Sequence, residues 1–372
     1  MNFVVQSICA RLGLVTGRGL ASTISRQYGR RWLSVVVVLL LVANVTNIAA
    51  DLGAIAAAIA LLVPVRAVYL VIPIGLAIAL VEVVVPYPQF ARILKLLTLV
   101  ILAYVVAAFV ARPDWGAALH GSLTPTFSFD RGWIATVVAL LGTTISPYLF
   151  FWQTSEEVEE EVERGIVPAR MSREAMLRLL RGANADVGFG MLVANVGFYF
   201  VVLTAAATLH ASGLTHVQTA AQAAEALQPL AGSGAALLFA LGLIGTGLLA
   251  VPVLAGSVAY ASAELFGWPE GLGKTFRQAP QFYGVIALAT AGGVAIVFRP
   301  LTEIQALFVA AVVNGVIAPV LLVFLLLAAG DRSVLGEFRS TRTMLVLGWL
   351  TAGAMALAAL GLFATLGLSE TP

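Results

Sequence analysis

The stretch at residues 140–165, LLGTTISPYLFFWQTSEEVEEEVERG, decides how this chain is read. It begins in an apolar segment and ends in the acidic run Glu156, Glu157, Glu159, Glu160, Glu161 and Glu163. Near the middle of the apolar part stand Gly142, Thr143, Thr144, Ser146 and Pro147. Pro147 has no amide hydrogen, and its ring collides with the carbonyl of Thr143 four residues earlier. Two structures fit that pattern. One is a discontinuous helix, broken at Gly142 and Pro147, whose freed carbonyls ligate a cation while the half-helix ends add partial charges. The other is a Pro-kinked helix whose hydroxyls satisfy the opened carbonyls. The residues themselves leave both open.

Working outward, nine apolar segments run over roughly 32–63, 68–85, 94–110, 133–152, 187–207, 235–263, 283–298, 304–329 and 344–367. Each approaches the length needed to cross a bilayer core as a helix. Of 372 residues 60% are hydrophobic and 11% charged, with a mean hydropathy of +0.98. A soluble domain carries about 25% charged residues, so this composition excludes a soluble enzyme, a nucleic-acid binder and a disordered scaffold. The chain reads as an all-α polytopic membrane protein, its backbone polar groups satisfied within helices. Its single cysteine, Cys9, allows neither an intramolecular disulfide nor a Cys-based metal site.

Lys and Arg fall unevenly between the two sides of this nine-span arrangement, 17 against 4. By the positive-inside rule the N-terminus is cytoplasmic and the C-terminus outside, as in a multi-pass protein of the cell (inner or plasma) membrane. The expected organisation is a helix end and basic segment over 1–31, then four transmembrane helices over 32–153, the fourth broken near 142–147. A charged cytoplasmic loop follows over 154–186, then five transmembrane helices over 187–367 and a short external tail over 368–372.

Ionisable groups at membrane depth are functional candidates by default. Asp51 lies in NVTNIAADLGA, with Asn44 and Asn47 spaced to share its helix face. That stripe reads either as the lining of a cation or proton route or as a hydrogen-bonded helix seam; Asp51 favours the first and the asparagines the second. Glu82 reads either as a buried group or as an interface residue beside Arg92, the second favoured, and Asn195 and Asn314 read as packing residues. The acidic run reads as a solvated helix extension paired with the arginines after it, or as a means of concentrating cations at a cytoplasmic mouth. No His, Cys or carboxylate pair sits together at membrane depth, so the chain does not read as an enzyme.

On CARLGLVTGRGLA, ANVTNIAADLGAIAAA, GTTISPYLFFWQTSEEVEEE and NGVIAPVLLVFLLLA, the chain resembles the NRAMP family of proton-coupled divalent metal transporters, from about residue 5 to the last segment. The resemblance implies a LeuT-like inverted-repeat transporter fold, missing its first helix and most of the second, because nothing here matches the family's Asp-Pro-Gly-Asn motif. It thereby implies that Met1 is an internal methionine of a longer protein. The implied function is secondary transport of divalent cations (Mn²⁺, Mg²⁺ or Fe²⁺) by symport with protons, with the cation as cargo and no cofactor. The partners are that cation, the lipid bilayer and protons, with no nucleic acid. The alternatives are a LeuT-fold carrier of an organic substrate such as an amino acid, and a truncated, non-transporting membrane protein.

The family's Met-Pro-His motif falls on Ser146, Pro147 and Tyr148. The resemblance therefore assigns metal ligation to the Thr143 carbonyl and the Ser146 hydroxyl, and the proton pathway or its polar lining to Asp51, Tyr148 and Asn47. The departures matter. A hydroxyl replaces the metal-selecting thioether, leaving hard oxygen donors without preference for softer transition metals. A phenol, which does not titrate near neutral pH, replaces the histidine. The family's second acidic position in the third helix is Ala54 here, so the resemblance carries the metal further than it carries the proton coupling.

Overall fold

A computed structural model describes residues 1–85, 113–124, 127–210, 217–223 and 235–367, with isolated residues between 89 and 109 and at 213. The helices follow the apolar segments. They are α1 (Asn2–Thr16), α2 (Leu20–Tyr28), α3 (Arg30–Ala60), α4 (Ala67–Val84), the short α5 (Trp115–Leu123), α6 (Arg131–Thr144), α7 (Pro147–Glu163), α8 (Arg173–Ala205), α9 (Ala235–Phe266), α10 (Pro280–Val297), α11 (Glu303–Gly330) and α12 (Arg342–Gly367). With α6 and α7 taken as one broken span, eight of the described helical runs are long and apolar enough to cross a membrane. The expected segment over 94–110 and the tail over 368–372 lie outside the described residues, apart from isolated positions in the former.

Helix starts are set by short polar side chains that take up otherwise unpaired amides. Asp130 accepts from Trp133 N at 2.9 Å ahead of α6. Thr302 and Gln305 form a reciprocal capping box at α11. At the other end of α1, Gly17 takes φ 60°, a left-handed conformation open to glycine with little strain.

Two segments read as charged and non-membranous prove more ordered than that. The region 154–186 is helical over most of its length: α7 runs on to Glu163 and α8 already begins at Arg173, leaving a short connection with one 3₁₀ turn at Pro168–Arg170. The basic segment ahead of residue 31 contains α2, which buries Leu20, Ala21 and Ile24. In both places charge at one face masks an apolar stripe on the other.

α3 is the axis of the molecule, packed against α9, α10 and α11. Its first half, Leu33 to Ala43, joins an apolar cluster with α1, α2, α11 and the Phe150–Phe151 pair of α7. Its second half, Ile48 to Ala56, joins another with α4, α9 and α10. Tyr148, directly after the helix break, packs against both clusters. The outer faces stay apolar: Leu76, Leu80 and Val84 form an exposed stripe along α4, as Leu357 and Leu360 do on α12. Such stripes suit contact with lipid.

The helix that breaks is held by a backbone-to-backbone crossing. A Cβ added at Gly142 of α6 would lie 2.2 Å from Ala311 O and 2.3 Å from Gly315 N of α11. One added at Gly315 would lie 2.2 Å from Val138 O. Small residues at such a crossing let two helices approach to van der Waals contact of their main chains. Gly142→Ala and Gly315→Ala should therefore each destabilise the protein by about 1–3 kcal/mol, the usual cost of overpacking. Gly353→Ala, with nothing within 4 Å of its added Cβ, should leave stability unchanged. Thermal unfolding in detergent, monitored by circular dichroism, checks the contrast.

Candidate cation site at the helix break

The chain combines features of both structures open to residues 140–165: the helix is interrupted, as in the first, and a hydroxyl takes up the opened carbonyls, as in the second. α6 ends at Thr144, and Ile145 (φ −119°, ψ 70°) and Ser146 (φ −81°, ψ 134°) leave helical geometry before α7 starts at Pro147. The last regular bond is Ile145 N to Leu141 O at 2.8 Å. Beyond it the Ser146 hydroxyl donates to Gly142 O at 2.8 Å and to Thr143 O at 3.1 Å. Ser146 occupies the N-cap position of α7 yet makes no cap bond to it. Its hydroxyl turns backward, onto the C-terminal carbonyls of α6. Ser146 is buried, whereas the Thr143 side chain is exposed. The break thus gathers two main-chain carbonyl oxygens and one hydroxyl oxygen at the partially negative end of α6.

The other sequence-assigned residues divide. Asp51 and Tyr148 come within electrostatic reach of each other beside the break. The Asp51 carboxylate has no hydrogen bond to another described residue, and its helix turn is packed where Ile55 meets Gly247 of α9. Asn47, by contrast, is engaged in structure. Its Nδ2 donates to Asn314 Oδ1 at 3.0 Å, and Asn314 Nδ2 donates back to Asn47 Oδ1 at 3.1 Å, tying α3 to α11. Asn44 is fully buried and donates to Leu254 O at 2.8 Å and Ser257 Oγ at 2.7 Å, tying α3 to α9. The polar stripe on α3 is therefore a seam at its two asparagines, with an unengaged carboxylate at Asp51.

Glu82 takes the buried one of its two readings. It is 4% exposed, with both carboxylate oxygens lacking a hydrogen-bond partner among the described residues. It is a buried group of α4 within electrostatic reach of Tyr283 of α10, whose hydroxyl donates to Lys274 O of the α9–α10 connection at 2.6 Å. Asn195 is exposed and bonds only to its own helix, at Met191 O.

A second polar group, which the sequence did not single out as a unit, gathers where α7, α9 and the α9–α10 connection meet. Glu159, Tyr260, Glu264, Glu270 and Lys274 line a cavity of about 170 Å³. Tyr260 Oη donates to Glu159 Oε1 at 3.2 Å. Glu264 Oε2 accepts from Ser22 N at 2.7 Å, so α9 caps the start of α2 with a carboxylate. A Cβ at Gly19 would lie 1.9 Å from Glu264 Oε1, which explains the glycine there. The Gly17-Arg18-Gly19 turn ahead of an amphipathic helix was the available signal, since such turns expose amides to an anion. Its partner, more than two hundred residues away, had none. Among the described residues no three His, Cys, Asp or Glu side chains are grouped to hold a metal ion directly.

A polytopic helical bundle with one span broken over uncharged oxygen donors defines a membrane carrier fold. The chain belongs to the family described as natural resistance-associated macrophage protein-like, which it matches over residues 1–365. It is 28% identical over 351 residues to the divalent metal cation transporter MntH of Aeromonas hydrophila, covering 91% of this chain and 79% of that one. It is 29% identical over 357 residues to MntH of Verminephrobacter eiseniae, covering 94% and 76%. Its fold is that of the Eremococcus coleocola manganese transporter, with a TM-score of 0.80 at 18% identity over 100% of this chain and 79% of that chain. The reading as a non-enzyme agrees with these relatives, all named as transporters.

Burial, followed by the neighbouring Glu264 and then Glu159, pushes the Glu270 carboxyl from 4.5 up to about 8, with Lys274 acting in the opposite sense. The folded chain therefore holds the Glu270 proton more tightly than the unfolded chain does between these values. Stability is greatest below about pH 4.5 for this group and falls as pH rises through about 8. The unfolding temperature in detergent should drop between pH 5.5 and 8.5, and Glu270→Gln should flatten that slope. An unchanged slope in the variant would assign the effect to another group.

Proposed function

We propose that this protein is a secondary transporter of divalent metal cations, and that the break between α6 and α7 is where the cation is held. The observation that carries this reading is the Ser146 hydroxyl turned back onto the Gly142 and Thr143 carbonyls. Those oxygens lie near the middle of the broken span, where Pro147 offers Thr143 O no amide and the unwound Ser146 amide does not reach Gly142 O. Family membership and the names of the relatives support the substrate class.

The donor chemistry narrows the class. Carbonyl and hydroxyl oxygens are hard ligands, suited to Mg²⁺ or Mn²⁺ that retains part of its water. Without a thioether or imidazole, the site has little with which to prefer softer ions. A cation arriving at the break displaces the Ser146 hydrogen from the carbonyls, and the same three oxygens then face the ion. Asp51 and Tyr148 stand beside this path. Of the two only Asp51 takes up a proton in the ordinary range, so any proton movement coupled to transport runs through Asp51 with Tyr148 as polar lining.

In proteoliposomes containing the full chain, Mn²⁺ uptake and Mg²⁺ uptake read by an ion-sensitive dye test the proposal, and absence of both would overturn it. Ser146→Met places a thioether at the break and should shift the Mn²⁺ to Mg²⁺ uptake ratio toward Mn²⁺ by roughly three- to tenfold, a modest ligand effect of about 1 kcal/mol. An unchanged ratio would remove Ser146 from the site.

Asp51→Asn should flatten the pH dependence of uptake while leaving the metal preference in place. A pH profile identical to that of the unaltered protein would return Asp51 to a packing role.

A further inference from the structure

The acidic run of α7 does not simply extend into solvent. Its last two turns, together with α1 and α8, enclose a cleft of about 430 Å³ lined by Glu157, Glu160, Glu161 and Asp186, with Arg164 and Arg178 among the remaining groups. Glu161 is 3% exposed, and its Oε1 has no hydrogen-bond partner among the described residues. A carboxylate removed from water this far, with one oxygen unpaired, is costly unless it takes up a proton or something of opposite charge reaches it, so a cation here competes with a proton.

The surrounding charges increase that need. Glu157 lies within electrostatic reach of Glu160, Glu161 and Asp186. Of the two arginines, Arg164 is already paired with Glu160. Arg178 makes no ion pair among the described residues. The local helix ends have the wrong polarity for acids as well. Glu160, Glu161 and Glu163 fall in the last turn of α7, and the other Glu161 oxygen, Oε2, lies near Gly17 at the C-terminal end of α1. Neither helix has a basic residue in its last turn. Helix C-termini carry partial negative charge and favour cations, so carboxylates crowded at two of them are opposed by the backbone itself.

We infer that this cleft binds a hydrated divalent cation, with Glu157, Glu161 and Asp186 as its charged partners. No three acidic side chains here are close enough to ligate an ion directly, which calls for contact through retained water. The space suits it: an ion with six waters fills roughly 200 Å³ at about 30 Å³ per water. Magnesium-like ions, which give up water reluctantly, fit such outer-sphere binding best. The cleft lies at the far end of α7 from the break, on the side that the basic-residue asymmetry assigns to the cytoplasm. It is a second site, independent of the one proposed for transport.

Titration of the purified full chain with Mn²⁺, followed by the loss of the free-ion electron paramagnetic resonance signal, tests the inference. Expected is a Mn²⁺ site that Mg²⁺ competes for, that survives Ser146→Ala, and that Glu161→Gln or Glu157→Gln weakens at least tenfold. Arg178→Gln should tighten it severalfold, because it removes the competing cation. Asp186→Asn changes only an exposed rim residue and serves if either glutamate variant fails to fold; it should weaken binding by threefold or more. Binding that is unaffected by Asp186→Asn and by the glutamate variants would overturn the inference, as would weaker binding in Arg178→Gln. Loss of uptake in the Ser146 variants with cleft binding intact would bear on the transport reading alone.

Discussion

The structure turns on a main-chain problem at residues 142–147. Inside an apolar layer a backbone carbonyl without a donor costs several kcal/mol, so a helix can open only where other groups replace the missing amides. Here Pro147 removes one donor and the geometry of Ile145 and Ser146 removes another. A single hydroxyl, Ser146 Oγ, serves both orphaned carbonyls. For it to do so, α6 must be fixed relative to α7, and the contact of Gly142 with Gly315 clamps α6 to α11 at the last helical turn before the break. Tyr148 then anchors the restart of α7 between both apolar clusters. The break is bounded by close packing on either side.

α3 supplies the frame against which that feature is held. A long helix that passes through two separate cores needs its register fixed, and apolar contacts alone do this poorly because one leucine layer resembles the next. The buried amides resolve the ambiguity. Asn44 finds Leu254 O and Ser257 Oγ on α9, and Asn47 finds Asn314 on α11. A slip of either helix would leave these groups unsatisfied in an apolar setting, a penalty of about 1–3 kcal/mol for each. Two anchors to two different helices also set where Asp51 stands, one turn beyond Asn47 and beside Tyr148. The seam and the candidate proton group are thus parts of one arrangement.

Much of this was legible in residue order. Apolar blocks marked the spans because helices that face lipid are apolar and satisfy their own backbone, and the Gly-Thr-Ser-Pro cluster marked a distortion of the span at 142–147. What the sequence left open was the choice between break and kink, which depends on whether Ser146 and the crossing at Gly315 can support an unwound backbone. Burial of Glu82 was open for a related reason: its nearness to Pro86 and Arg92 in sequence says nothing of the packing of α4 on α10, where it is buried. The capping of α2 by Glu264 and the cluster around Glu270 were invisible, since each joins groups far apart in the chain. Local chemistry shows in local sequence; a carboxylate's partner across the bundle does not.

The two proposed cation positions share a principle that sequence motifs alone do not express. At the break the oxygens belong to the C-terminal end of α6. In the cleft the carboxylates crowd the C-terminal ends of α7 and α1. Both are places where the backbone's own partial charge is negative, and neither is supplied with a nearby basic residue in the helix's last turn. The difference lies in the charge added to that common background. The break uses neutral oxygens, so a cation held there keeps most of its charge unbalanced and can leave. The cleft adds full carboxylates at a distance, so a hydrated ion is attracted without shedding its water. The two positions thus call for different hydration: carboxylates at a distance suit an ion that keeps its water, and neutral oxygens at the break suit one that gives up part of it.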